Sequence, residues 1–98
     1  MIAKKVVLKG EVQGIGFRSW IARRARAMGL RGYVENVGKD VVIVVDNNEE
    51  TLIEAAKGYE YASVREVLVT TVEVEELPPF TVKFNNFEVS TDDWLERL

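Results

Sequence analysis

The chain of 98 residues contains neither cysteine nor histidine. Without cysteine there is no disulfide, no thiolate nucleophile and no sulfur ligand for a metal. Without histidine there is no imidazole base, no phosphohistidine chemistry and no Ser-His-Asp triad, and zinc sites of the usual ligand sets are excluded as well. Any catalysis must rest on Arg, Lys, Asp, Glu, Ser, Thr, Tyr, Asn or backbone groups. Proline occurs only as the pair Pro78-Pro79. No apolar run approaches the roughly 20 residues that span a bilayer. Lys4, Lys5 and Lys9 interrupt any apolar stretch that could act as a signal peptide near the N-terminus. The expectation is a cytoplasmic protein with no membrane partner.

What is present describes an ordinary globular domain: 47% hydrophobic and 30% charged residues, enough for one compact core. The formal charge of −3 hides an asymmetry. Residues 1–40 carry nine Lys/Arg against three Asp/Glu, whereas residues 41–98 carry four against thirteen. A basic half can attract an anionic ligand to an acidic protein, although two differently solvated faces would produce the same count.

Periodicity divides the chain into seven elements. Val6, Leu8 and Val12 alternate with Lys5, Lys9 and Glu11, which reads as a half-buried strand over 4–12. Phe17, Ile21, Ala25 and Met28 recur at helical spacing, with Arg23, Arg24 and Arg26 on a wet face and Gly29 as the stop. Strands are expected over 30–37 and 41–45, joined as a hairpin through "VGKD". A second helix starts after Asn47 or Asn48 as cap, has Glu49 and Glu50 in its first turn, and ends at Gly58. A fourth strand covers 64–76 until the prolines break it, and a fifth covers 82–89, with a bulge at Asn85-Asn86. The order β-α-β-β-α-β-β predicts an α+β fold, the ferredoxin-like (split βαβ) sandwich: an antiparallel sheet with two helices on one face. Residues 1–90 make one domain. Residues 91–98 form a short C-terminal extension of helical pattern, capped by Ser90 or Thr91, with Trp94, Leu95 and Leu98 on one face.

Chemistry concentrates in "GEVQGIGFRSW", residues 10–20, where the first strand hands over to the first helix. Gly14 and Gly16 let the backbone curl so that several N–H groups point inward at a helix N-terminus, where the dipole favours an anion. A tight turn would use the same glycines. Arg18 at the helix start shifts the balance toward an anion nest, since its fork fits two phosphate oxygens. "GIGFRS" only grazes the dinucleotide fingerprint, because Ser19 holds the third glycine position and a hairpin follows where a second crossover belongs. Asn36, at the end of the second strand, either caps the turn with its own amide or faces the glycine loop, depending on the sheet order. Glu73, Glu75 and Glu76 read as an exposed strand end and not a metal site. Tyr59 and Tyr61 read as turn or core-edge aromatics. "VVIVV" lacks the aromatics of an RNA-binding sheet, so no nucleic-acid partner is expected.

"GEVQGIGFR" followed by "GLRGYVEN" resembles the paired signature of the acylphosphatase family, G-x-V-Q-G-V-G-F-R and G-L-x-G-[WY]-V-x-N. "KGYEYASVREV" and "FNNFEV" resemble its later segments, so the likeness covers about residues 4 to 89 in order. The resemblance implies a small ferredoxin-like hydrolase of carboxyl-phosphate bonds that works without metal, cofactor or covalent intermediate. By motif position, Gln13, Gly14, Ile15, Gly16 and Phe17 would supply the backbone cradle, Arg18 would bind the phosphate, and Asn36 would position the attacking water. The substrate would be a small acyl phosphate, inorganic phosphate would inhibit as product, and a monomer is expected. The turn "NVGKD" lacks the family's usual Asp-Gly, the second helix is about one turn shorter, and the C-terminal extension has no counterpart. A second reading keeps the scaffold as a binding module, related to the acylphosphatase-like domain of carbamoyl-transferring maturation proteins, that holds an acyl or carbamoyl phosphate or acts through a partner. A nucleic-acid binder, supported only by the arginines of the first helix, is a distant third.

Overall fold

The computed structural model describes residues 1–14 and 16–84. Ile15, the Asn85-Asn86 bulge and the C-terminal extension lie outside the described residues. The elements run β1 (Ile2–Glu11), α1 (Phe17–Ala27), β2 (Gly32–Val37), β3 (Asp40–Val45), α2 (Glu49–Lys57), β4 (Ser63–Glu73) and β5 (Thr81–Lys83). This is the expected order, and the ferredoxin-like α+β architecture follows from it.

The strands form one sheet in the order β4-β1-β3-β2-β5. The antiparallel expectation holds for β1 to β4. The fifth strand differs, joining β2 in parallel and making the sheet mixed. The cause is the path of the chain: after β4, on one edge, it crosses below the sheet to the opposite edge. Leu77 is buried there, Gly32 N–H donates to the carbonyl of Pro78 at 2.9 Å, and Phe80 N–H donates to that of Leu30. A strand entered from that side runs with β2.

Both helices contribute to one core on one face of the sheet, where Phe17, Ile21 and Ala25 of α1 and Leu52 and Ala56 of α2 meet Val6, Leu8, Val34, Val41, Ile43 and Val45. "VVIVV" does not alternate because β3 is the middle strand and buried on both sides. Val42 and Val44 turn to the other face, packing with Ala3 and Leu77.

Helix boundaries follow local chemistry. α1 ends in a Schellman motif: Gly29 has φ 69°, its N–H donates to Arg26 O, and Leu30 N–H donates to Ala25 O, each at 3.0 Å. Asn48 is indeed the N-cap of α2, but it lies in the left-handed region at φ 56° and its side chain makes no capping hydrogen bond. The asparagine is used for its tolerance of that backbone conformation instead of for its amide. Trp20 Nε1 donates to Ala55 O at 3.1 Å and ties the helices together. Tyr59 stacks on Phe17 and Trp20, and exposed Tyr61 meets Tyr59 edge-on, as core-edge aromatics should.

Candidate active site

β1, β2 and β5 run in the same direction, so their C-terminal ends share one edge of the sheet with the loop entering α1 and the β2–β3 turn. β2 is not the neighbour of β1, because β3 lies between them. The parallel direction still brings their ends together.

The glycine loop has the backbone that the sequence requires. Gly14 and Gly16 have φ 78° and 76°, in the left-handed region. A Cβ on Gly14 would meet nothing within 4 Å, so conformation and not crowding explains the glycine there. Gly16 is the N-cap of α1, and the helix has neither a side-chain cap nor an acidic residue in its first turn. Its positive end is therefore left for something other than a carboxylate of its own first turn.

Arg18 is far from a surface cation. Only 1% of it is exposed, and it is the largest fully buried side chain among the described residues. Its guanidinium donates to Lys83 O at 3.4 Å and lies 5.9 Å from the centre of the Phe84 ring. Lys83 of β5 and the following Phe84 thus hold Arg18 from the side, a role that the sequence did not signal.

Asn36 lies on the helix-covered face. Its register partner on β3 is Val41, which in turn pairs with Leu8 of β1, and both belong to the core beneath the helices. Glu35, the preceding residue, pairs with Lys83, whose carbonyl accepts from Arg18. The two side chains are therefore brought to the same end of the sheet. The Oδ1 atom of Asn36 is buried and has no hydrogen-bond partner among the described residues. A capping asparagine would use this oxygen on its own turn, so the turn-cap alternative is not what is found. An unmade bond of this kind costs about 1–3 kcal/mol unless a ligand or water donates to it.

The Gln13 side chain, not anticipated from the sequence, reaches across this edge: Nε2 donates to Gly38 O at 2.7 Å and to Asp40 O at 3.0 Å. Lys9 and Asp40 form a 2.8 Å ion pair nearby. Accepting that hydrogen bond, Asp40 raises the pKa of Lys9 above its ordinary value, its charge adding to the effect. A cavity of about 450 Å³, lined by Gly10, Glu11, Val12, Gln13, Lys39 and Tyr61, opens beside the loop; neither Arg18 nor Asn36 lines it. Arg23, Arg24 and Arg26 stay on the exposed face of α1, with Arg24 stacked over Trp20 at 4.2 Å and Arg26 donating to Phe80 O at 2.9 Å. Among the described residues no cluster of acidic side chains could hold a metal ion, and no helix is long and apolar enough to cross a membrane.

An uncapped helix N-terminus with a buried arginine in its first turn, set in an α+β fold, is the class of arrangement whose charge suits an anion. Known proteins narrow that class to one family. The acylphosphatase family model matches residues 4–89, and the chain belongs to the acylphosphatase family and is an enzyme of that class. It is 43% identical to an acylphosphatase of Caldivirga maquilingensis over 88 residues, covering 83% of this chain and 93% of that one. It is 35% identical to an acylphosphatase of Archaeoglobus fulgidus, covering 86% and 100%. The crystal structure of acylphosphatase from Bacillus subtilis superposes with a TM-score of 0.75 at 28% identity, covering 86% of this chain and all of that one. HypF from T. kodakarensis superposes with a TM-score of 0.73 at 29% identity over 88% of this chain, but only 12% of its own length is covered. A like domain therefore also exists inside a larger protein.

Proposed function

We propose that the chain hydrolyses the carboxyl-phosphate bond of small acyl phosphates by direct attack of water, with the phosphoryl group held at the glycine loop by backbone N–H groups and Arg18. The single observation that carries the reading is the buried Oδ1 of Asn36, left without a partner at the end of the sheet that also bears the loop and the arginine. An acceptor in that place orients a water by taking one of its hydrogens. The water oxygen bonds to phosphorus as the bond to the acyl oxygen breaks in line, the carboxylate departs, and the proton of the water leaves to phosphate or solvent. The departing acid has a pKa of about 4, so no general acid is required. Positioning and preorganised positive charge supply the rest, which a chain without histidine or cysteine can do. The cavity lined by Gln13, Lys39 and Tyr61 leaves room for the acyl substituent beside the cradle. Action as a cytoplasmic monomer, with inorganic phosphate as product and inhibitor, belongs to the same reading.

One alternative keeps the same scaffold, a like part of which lies within the larger HypF, as an acyl- or carbamoyl-phosphate-binding or partner-binding module without turnover. Hydrolysis of benzoyl phosphate in the presence of EDTA separates the two. Turnover by the wild-type chain, lost in Arg18→Ala and Asn36→Ala, supports the enzyme. No turnover, with phosphate still protecting the chain against heat, supports the module.

A further inference from the structure

We infer that the side chain of Gln13 is a positioning residue, which holds the β2–β3 turn, and with it Asn36, in register with the glycine loop. The inference rests on the reading of Asn36 given above. The β1–β3 ladder ends at the pair Leu8–Val41. β1 then shifts register against β4 between Lys9 and Gly10 and turns away from β3 into the loop. Beyond that row the ladder no longer couples the loop to the hairpin carrying Asn36. Among the described residues two side-chain links bridge the gap: the Lys9–Asp40 pair, and the two hydrogen bonds from Gln13.

Only the second link starts within the loop itself, one residue before Gly14. Its acceptors, Gly38 O and Asp40 O, flank Lys39 at the tip of the hairpin, so both sides of the turn are held by one amide. Carbonyl oxygens can only accept, so the amide nitrogen must face them, and both of its hydrogens are used. Asn36 precedes Gly38 by two residues, and its Oδ1 is held by no bond. The aim of that oxygen is therefore set by the backbone of the hairpin, and Gln13 ties this backbone to the place where the phosphoryl group would sit. A small displacement of such an acceptor costs rate while leaving the phosphate contacts in place.

The test is steady-state hydrolysis of benzoyl phosphate, with the inhibition constant of inorganic phosphate, for the full chain, Gln13→Met, Gln13→Glu, Asn36→Ala and Gln13→Met/Asn36→Ala. Gln13→Met keeps the length of the side chain and removes the donors. Gln13→Glu sets a carboxylate against two carbonyls. Both single variants at Gln13 are expected to lose about tenfold or more in kcat, while phosphate inhibition stays within about twofold. In the Asn36→Ala background, Gln13→Met should change the residual rate little, because the acceptor that it positions has gone. Three results overturn the inference alone: kcat near wild type in both Gln13 variants while Asn36→Ala is impaired, phosphate inhibition weakened in step with kcat, or a full multiplicative loss in the double variant. If the wild-type chain does not turn over, or Asn36→Ala is as fast as wild type, the reading of the site fails and the role of Gln13 fails with it.

Discussion

Arg18→Met separates what this arginine does for the fold from what it does for an anion. Methionine fills much of the buried stem and removes the guanidinium. The fold loses a donor to Lys83 O, a long bond at 3.4 Å. That bond alone is worth about 0.5 kcal/mol, so the ligand-free Tm of the variant should fall by at least roughly 2–4 °C. For a bound phosphate the loss is a charge-assisted fork, about 3 kcal/mol, which is roughly a 150-fold weaker Kd. With phosphate at about 100 times the wild-type Kd, the wild-type chain gains about 2.7 kcal/mol, roughly 10–20 °C. The variant, then below its own Kd, gains only about 0.3 kcal/mol, roughly 1–3 °C. Thermal unfolding followed by far-UV circular dichroism, with and without phosphate, reads both quantities. A variant that keeps more than half of the wild-type phosphate shift would refute the placement of the anion against Arg18.

Asn36→Ala should lose turnover and keep phosphate affinity; it should also raise stability by up to about 1 kcal/mol, because a buried acceptor without a partner disappears. Urea unfolding of the variant checks this, and a clear loss of stability would mean that the oxygen is bonded in solution. Gly32→Ala should destabilise by about 3 kcal/mol or more, since Gly32 has φ 145° and a Cβ would lie 1.9 Å from Val44 O. A urea midpoint close to wild type would contradict the close approach of β2 and β3 there. The Lys9–Asp40 pair gives a pH signature. Asp40 raises the pKa of Lys9 above 10.5, so its stabilisation is complete below that pH and is lost as pH rises through the raised value. From neutrality upward, the difference in urea midpoint between wild type and Lys9→Met should therefore shrink only in strongly alkaline solution, and a gap that closes near neutrality would exclude the pair as its source.

Local chemistry along the chain determined most of the elements and the candidate residues of the site. Alternation, helical spacing and the glycine stops depend on neighbours within a few positions, so β1, α1, β2, β3 and α2 could be read directly, and Gly29 closes α1 as its position indicates. The bend of the loop at Gly14 and Gly16 is legible for the same reason: few residues adopt that φ. What those residues face could not be read. Strand order is set by pairing over long separations, and only the fold places β3 between β1 and β2 and sends β5 to the far edge, parallel to β2. That order buries Arg18 against the carbonyl of Lys83, 65 residues away. It also puts Asn36 on the helix-covered face with its oxygen unpaired, and lets Gln13 span the gap where the ladder stops. Glycine and arginine announce their chemistry through their own backbone and charge. The task of an amide is decided by whatever tertiary structure sets within about 3 Å of it.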